Sequence, residues 1–173
     1  MGQQAPIRDL GPCHVDWGGT DLGTTFGGAT FRATQDVAPV MEDDYGNDPV
    51  DEIFVGSGCE VECNLTRMAI ATLVAITPGA SGSGTSGNTM VVRATTGRSS
   101  YDNALKLIVK PVVGGTVSTT STEWITIFKA HPKIEYELPY DVDSQRTFKV
   151  TFKGYRVQAD AVGEKIGWLW KIG

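Results

Sequence analysis

Three stretches of this chain alternate apolar and polar residues with a period of two, and that alternation limits the possible folds most. In 59–65, Cys59, Val61, Cys63 and Leu65 fall on one side, with Glu60, Glu62 and Asn64 on the other. In 133–138, Ile134, Tyr136 and Leu138 oppose Lys133, Glu135 and Glu137; in 147–152, Phe148, Val150 and Phe152 oppose Thr147, Lys149 and Thr151. Successive side chains of a strand point to opposite faces, so each stretch is a strand with one dry and one wet face. Such strands belong to antiparallel sheets with one side solvated.

Further strands are predicted at 13–17, 30–36, 89–95, 104–113 with a break at Pro111, 123–130, 147–158 and a last edge at 166–172. One helix is expected, capped by Thr66 and running through Ala69, Ala71, Leu73 and Val74 to a stop before Pro78-Gly79. The pattern predicts a mainly β fold: an antiparallel β-sandwich or partial barrel with one flanking α-helix and a long inter-strand loop. At 173 residues with 40% hydrophobic content, the chain is long enough for one domain with its own core. Within it, 1–28 reads as an extended N-terminal segment, 37–55 as a long acidic loop and 79–88 as a flexible Gly/Ser insertion.

Charge is unevenly spread. Up to Glu60 there are eleven acids against Arg8 and Arg32 alone, whereas the rest of the chain carries nine acids and thirteen bases. Six of the acids lie between Glu42 and Glu52 with no base among them. A net charge of −5 excludes a surface built to grip nucleic acid, which needs clustered cations. The longest apolar run, 68–76, is too short to span a bilayer, so no membrane binding is expected. Nothing at the N-terminus has the blocks of a signal peptide, and three cysteines form no disulfide framework; synthesis in a reducing cytoplasm is expected.

The residues that carry catalysis elsewhere do not assemble into a motif. His14 reads as a strand residue and His131 as a turn residue before Pro132, and no Ser or Cys sits in a nucleophile context. Cys59 and Cys63 share the inward face of a strand and read as buried thiols rather than zinc ligands. Asp43, Asp44 and Asp48 lack the ligand spacing of a calcium loop. No catalytic residue, metal or cofactor is expected. Trp168 and Trp170, on one face of the last strand, fit either core or interface anchors or a sugar-stacking platform.

The run from Gln35 to Gly56, QDVAPVMEDDYGNDPVDEIFVG, followed by an alternating strand and a helix, resembles the strand, acidic loop and strand of bacteriophage tail tube proteins. The closing segment from Phe148, FKVTFKGYRVQAD, ending in the glycine-flanked stretch with Gly167-Trp168-Leu169, resembles that family's last strands. Together these cover about half the chain. The resemblance implies a β-sandwich that forms hexameric rings, joined through an inner barrel and stacked head to tail into a conduit for DNA ejection, located in the virion tail and made in the bacterial host cytoplasm. It implies as partners the chain itself, a tape measure protein, a tail terminator and baseplate or tip proteins, with double-stranded DNA passing without specific contact.

A conduit should not bind its cargo, so its lining should be neutral or acidic. The wet-face residues Thr30, Arg32, Thr34, Asp36, Glu60, Glu62 and Asn64 are the expected lumen lining, with Arg32 paired to Asp36 or to a neighbouring subunit. Glu42, Asp43, Asp44, Tyr45, Asp48, Asp51 and Glu52 are the expected ring-stacking residues, meeting bases such as Arg146, Lys149 or Lys153. The competing readings are another virion component, such as a tail completion or decoration protein, the related tube protein of bacterial secretion systems, and a carbohydrate-binding β-sandwich.

Overall fold

A computed structural model describes residues 12–66, 69–83, 89–93, 96–137, 147–158 and 166–173. The fold is mainly β, an antiparallel sandwich or partial barrel with one helix. Strands β1 (Cys13–Trp17), β2 (Thr20–Met41), β3 (Pro49–Leu65), β6 (Leu105–Val113), β7 (Thr116–Val117), β8 (Ile125–Glu137), β9 (Thr147–Gly154) and β10 (Trp170–Ile172) form one sheet in the order β10-β8-β9-β3-β2-β1-β6-β7. β8 also pairs with β6, which bends the sheet over on itself. Two short strands, β4 (Ala80–Ser83) and β5 (Thr89–Val92), pair apart from the rest. Helix α1 spans Ile70–Ile76 and buries Leu73 and Ile76.

The alternation of 59–65 and of 147–152 becomes the core, whereas in 133–138 Tyr136 is exposed and Leu138 lies outside the described residues. Cys59, Val61, Cys63 and Leu65 of β3 and Val150 and Phe152 of β9 are buried with Val15, Leu107 and Ile127. Trp17 joins this cluster, its indole N–H donating to the Ala130 carbonyl at 2.9 Å, which satisfies the only polar atom it takes inside. Gly18 and Gly19, at φ of 58° and 82°, turn β1 into β2 in the left-handed conformations that a two-residue hairpin needs.

Several boundaries differ from expectation. The 37–55 stretch is not a loop: β2 and β3 stay paired from Ala29↔Cys63 out to Met41↔Pro49, and only 42–48 turn. Pro39 is tolerated because, among the described residues, β1 pairs β2 only at Thr20–Thr24, leaving the far edge of β2 open where a missing N–H costs nothing. For the same reason β6 runs through Pro111 and β8 through Pro132, each lying past the end of the β6–β8 pairing. His131 is therefore a strand residue and not a turn residue.

Strand β2 starts at Thr20, inside the expected extended N-terminal segment, whose residues 1–11 lie outside the described set. The helix is capped at Ala69 with no side-chain bond, because Thr66 directly follows the last residue of β3. Part of the 79–88 insertion is ordered as β4 pairing β5, with 84–88 outside the described residues. The expected β5 ends at Val92, and the expected final strand begins only at Trp170.

Gly154 ends β9 where the backbone comes closest to its neighbour: a Cβ there would overlap Cys59 Sγ and stand 3.1 Å from Ile127 Cγ2. Gly154→Ala is expected to lower stability by about 1–3 kcal/mol through overpacking, and by less when Cys59→Ala removes the sulfur. Urea denaturation of the two singles and the double checks the non-additivity.

Candidate functional site

All seven residues expected to line a lumen lie on one face of the β2–β3 pair. Thr30 is across from Glu62, Arg32 from Glu60, Thr34 from Gly58 and Asp36 from Gly56, with Asn64 across from Lys149 of β9. The opposite face of the same strands holds Val61 and Cys63 in the core, so the wet side is the outside of the body. The face is wider than the sequence reading had it. In register, β9 adds Lys149, Thr151 and Lys153, and β8 adds Glu135, Lys133 and His131, which are cross-strand partners of those three in turn.

This four-stranded wall carries Asp36, Glu60, Glu62 and Glu135 against Arg32, Lys133, Lys149 and Lys153. The pairings among them are cross-strand or along one strand. Lys149 Nζ lies 2.9 Å from Glu62, Arg32 Nη1 3.5 Å from Glu60, and Lys133 Nζ 3.5 Å from Glu135. Arg32 thus meets the acid directly across from it rather than Asp36, four residues along its own strand, because opposite Cβ atoms stand far closer than those four residues apart in one strand. The hydrogen bond from Lys149, and then its charge, holds the Glu62 carboxyl below its ordinary 4.5 and raises the Lys149 ammonium in turn. Lys149 was an expected partner for a neighbouring ring; here its ammonium is engaged within the chain. Arg146 lies outside the described residues.

The expected stacking residues gather at the far end of the hairpin. Asp43–Tyr45 form a single 3-10 turn closed by the Tyr45 N–H on the Glu42 carbonyl at 3.1 Å, and Asp48 donates its N–H to the Tyr45 carbonyl. Asp51 and Glu52 follow in β3, with the Asp51 carboxylate accepting the Glu52 N–H at 2.8 Å. Every one of the seven is exposed. What the sequence reading missed is the apolar content of the arm beneath them. Val37, Met41, Val50, Ile53, Phe54 and Val55 are all exposed, Phe54 at 58% and Val55 at 66%. Val37 pairs across to Phe54 and Ala38 to Ile53, so both faces of the ribbon carry apolar side chains.

The remaining candidates are packed. Trp168 tilts against Phe128 with centroids 4.9 Å apart, and Trp170 meets Phe31 edge-on at 5.1 Å, each indole keeping about two-fifths of its surface exposed. His14 pairs with Asp21 at 2.9 Å. Burial pushes the Cys59 thiol up to about 11 and the Cys63 thiol to about 12, and raises Cys13 as well. Among the described residues no group of three or more His, Cys, Asp or Glu side chains is arranged to hold a metal ion.

Two measurements check this chemistry. Lys149→Ala should move the Glu62 titration up toward 4.5, read by side-chain carboxyl NMR; because the folded carboxyl is depressed, the pair's support is present above 4.5 and fades as pH falls through the lower folded value. The thiols, protonated at pH 8, should resist iodoacetamide in the native protein while all three label in urea, counted by mass spectrometry. No family model matches this chain, and no curated protein matches it.

Proposed function

We propose that the chain is a structural subunit that assembles with copies of itself into stacked rings, the tail tube of a tailed bacteriophage through which DNA is ejected. The observation that carries this is the outer half of the β2–β3 hairpin, a two-stranded ribbon with apolar residues exposed on both faces and no third strand beside it among the described residues. Five residues beyond Asp36, at about 3.4 Å each, carry the turn roughly 17 Å along this ribbon. A two-stranded ribbon with bare Val, Ile and Phe side chains is stable in water only if something covers it.

The four-stranded wall supports the ring in particular. Among the described residues, β2 beyond Thr24 and β8 beyond Ala130 each lack a strand on one side, so the two ends of the wall offer complementary open edges. Pairing the β2 edge of one copy with the β8 edge of the next would satisfy both and repeat around a closed ring. Its wet face, with carboxylates and cations matched in number and largely paired, would offer DNA no surplus positive charge to hold it. Stacking is then a head-to-tail contact without a built-in stop, and a tape measure protein, a terminator and tip proteins would set length and ends. In this reading the chain is not an enzyme.

Negative-stain electron microscopy of the purified, concentrated protein is expected to show rings or hollow tubes. A monomer persisting in micrographs and light scattering would overturn the reading. Ile53→Asp with Phe54→Asp, at exposed positions, should leave the circular dichroism spectrum unchanged and abolish the assemblies.

A further inference from the structure

On the side of the body formed by α1, the β4–β5 pair and the 97–103 turns lies an open cleft of about 840 Å³. Its apolar lining includes Ile76, Leu105 and Pro132. Arg93 and Arg98 line the same hollow, as does His131, whose imidazole is held below its ordinary value by burial and then by the nearby Arg98 charge. Arg98 is steadied by a 3.4 Å hydrogen bond to the Asn103 side-chain oxygen, while the Asn103 amide donates to the Ser99 carbonyl at 2.7 Å. Among the described residues neither guanidinium has a carboxylate within ion-pair distance, although one carboxylate, that of Asp102, also lines the cleft.

A concave site with an apolar floor and two guanidiniums that have no carboxylate partner among the described residues recognises a ligand that is apolar in the middle and anionic at its edges. The chain presents such a ligand itself. The tip of the β2–β3 arm places Glu42, Asp43, Asp44 and Asp48 around Tyr45, which is 63% exposed, with Met41 and Val50 exposed just behind. Tyr45 stands open to solvent, so the tip does not fill the cleft of its own chain. We infer that the cleft between α1 and the 97–103 turns is the receptor for the arm tip of a second copy, with Arg93 and Arg98 taking the tip carboxylates and Tyr45 entering the apolar floor.

This rests on the reading of the chain as a self-assembling subunit and adds where the arm lands. It moves the basic partner from Lys149, already engaged by Glu62, to a pair of arginines that no sequence pattern singled out. It also explains why the tip is acidic throughout: a uniformly negative tip repels another tip and is attracted only by a basic socket.

The test uses the full chain in three steps. First, assembly of the unaltered protein is followed by light scattering and microscopy; a monomer overturns the assembly reading and this site together. Second, Arg93→Glu with Arg98→Glu is expected to raise the concentration needed for assembly at least tenfold, and Asp43→Lys with Asp44→Lys in the same chain to restore it. Third, protein bearing Asp44→Cys is mixed with protein bearing Ser99→Cys and treated with a short bis-maleimide; the native thiols are buried, so a cross-linked 44–99 peptide in the mass spectrum reports tip meeting cleft. If the unaltered protein assembles but the arginine reversals assemble equally well, or if no 44–99 cross-link forms, the cleft is not the receptor and the assembly reading stands without it.

Discussion

The pairing of β2 with β3 is the constraint on which the rest of the molecule depends. Along its inner half, Ala29 meets Cys63 and Phe31 meets Val61, and the dry face of these rungs packs on the core. β9 is registered on β3 through Val61↔Phe152 and Cys63↔Val150, and β8 is in turn registered on β9. β1 hangs from the start of β2 by a two-glycine turn. The outer half continues the same ladder with no third strand among the described residues. Nucleating and propagating a free two-stranded ribbon in water is unfavourable, but a ribbon whose first rungs are fixed in a core pays only for extension.

That extension carries a hazard, since bare strands with Val, Ile and Phe on both faces are templates for indiscriminate pairing. The arm holds several features that restrict it. Pro39 and Pro49 remove donors, the register shift between Asp36 and Val37 breaks the flat ladder, and the tip is crowded with carboxylates. Each of these disfavours arm-to-arm association more than docking of the arm on a different, basic surface. Six of the eleven acids in the first sixty residues sit between Glu42 and Glu52, while Arg93 and Arg98 lie on the body, as the proposed docking of the one on the other would require.

How much of this could be read in the sequence follows from which period governed each segment. Where one face was buried and the other wet, as in Cys59–Leu65 and Phe148–Phe152, alternation gave the face of every residue correctly. The arm escaped because neither face is buried: Val37, Ala38, Val40 and Met41 run without alternation, and Pro39 argued against a strand. The prolines at 39 and 49 and the run of acids from Glu42 to Glu52 made the stretch read as a loop. Prolines misled in β6 and β8 for a related reason, since their tolerance depends on whether a third strand lies alongside, which is a tertiary fact. The wet-face residues of β2 and β3 were legible, but their counterparts on β9 and β8 required the register of the sheet. The arginines of the cleft carried no local signal at all, because Arg93 and Arg98 are brought to His131 by the fold.

In the proposed ring, the place where the arm leaves the body would tie stability to assembly. Cys59 is the last buried residue of β3 before the chain emerges, and Gly154, the last residue of β9, comes so close to it that no side chain fits between. β9 stops there, so from that row outward β3 has, among the described residues, β2 alone as a partner. A displacement of β3 by even a small angle at this row is multiplied along the roughly 27 Å from Ala33 to Met41, eight residues at about 3.4 Å each. The tight packing of Cys59 against Gly154 and Ile127 thus fixes the direction of the arm as well as closing the core. In a ring each copy must aim its arm alike, because an error in direction repeats at every subunit and prevents closure. The demand for a close-packed glycine at this one row, where a larger residue would be as apolar and as well buried, is what such an aiming requirement imposes on a sequence.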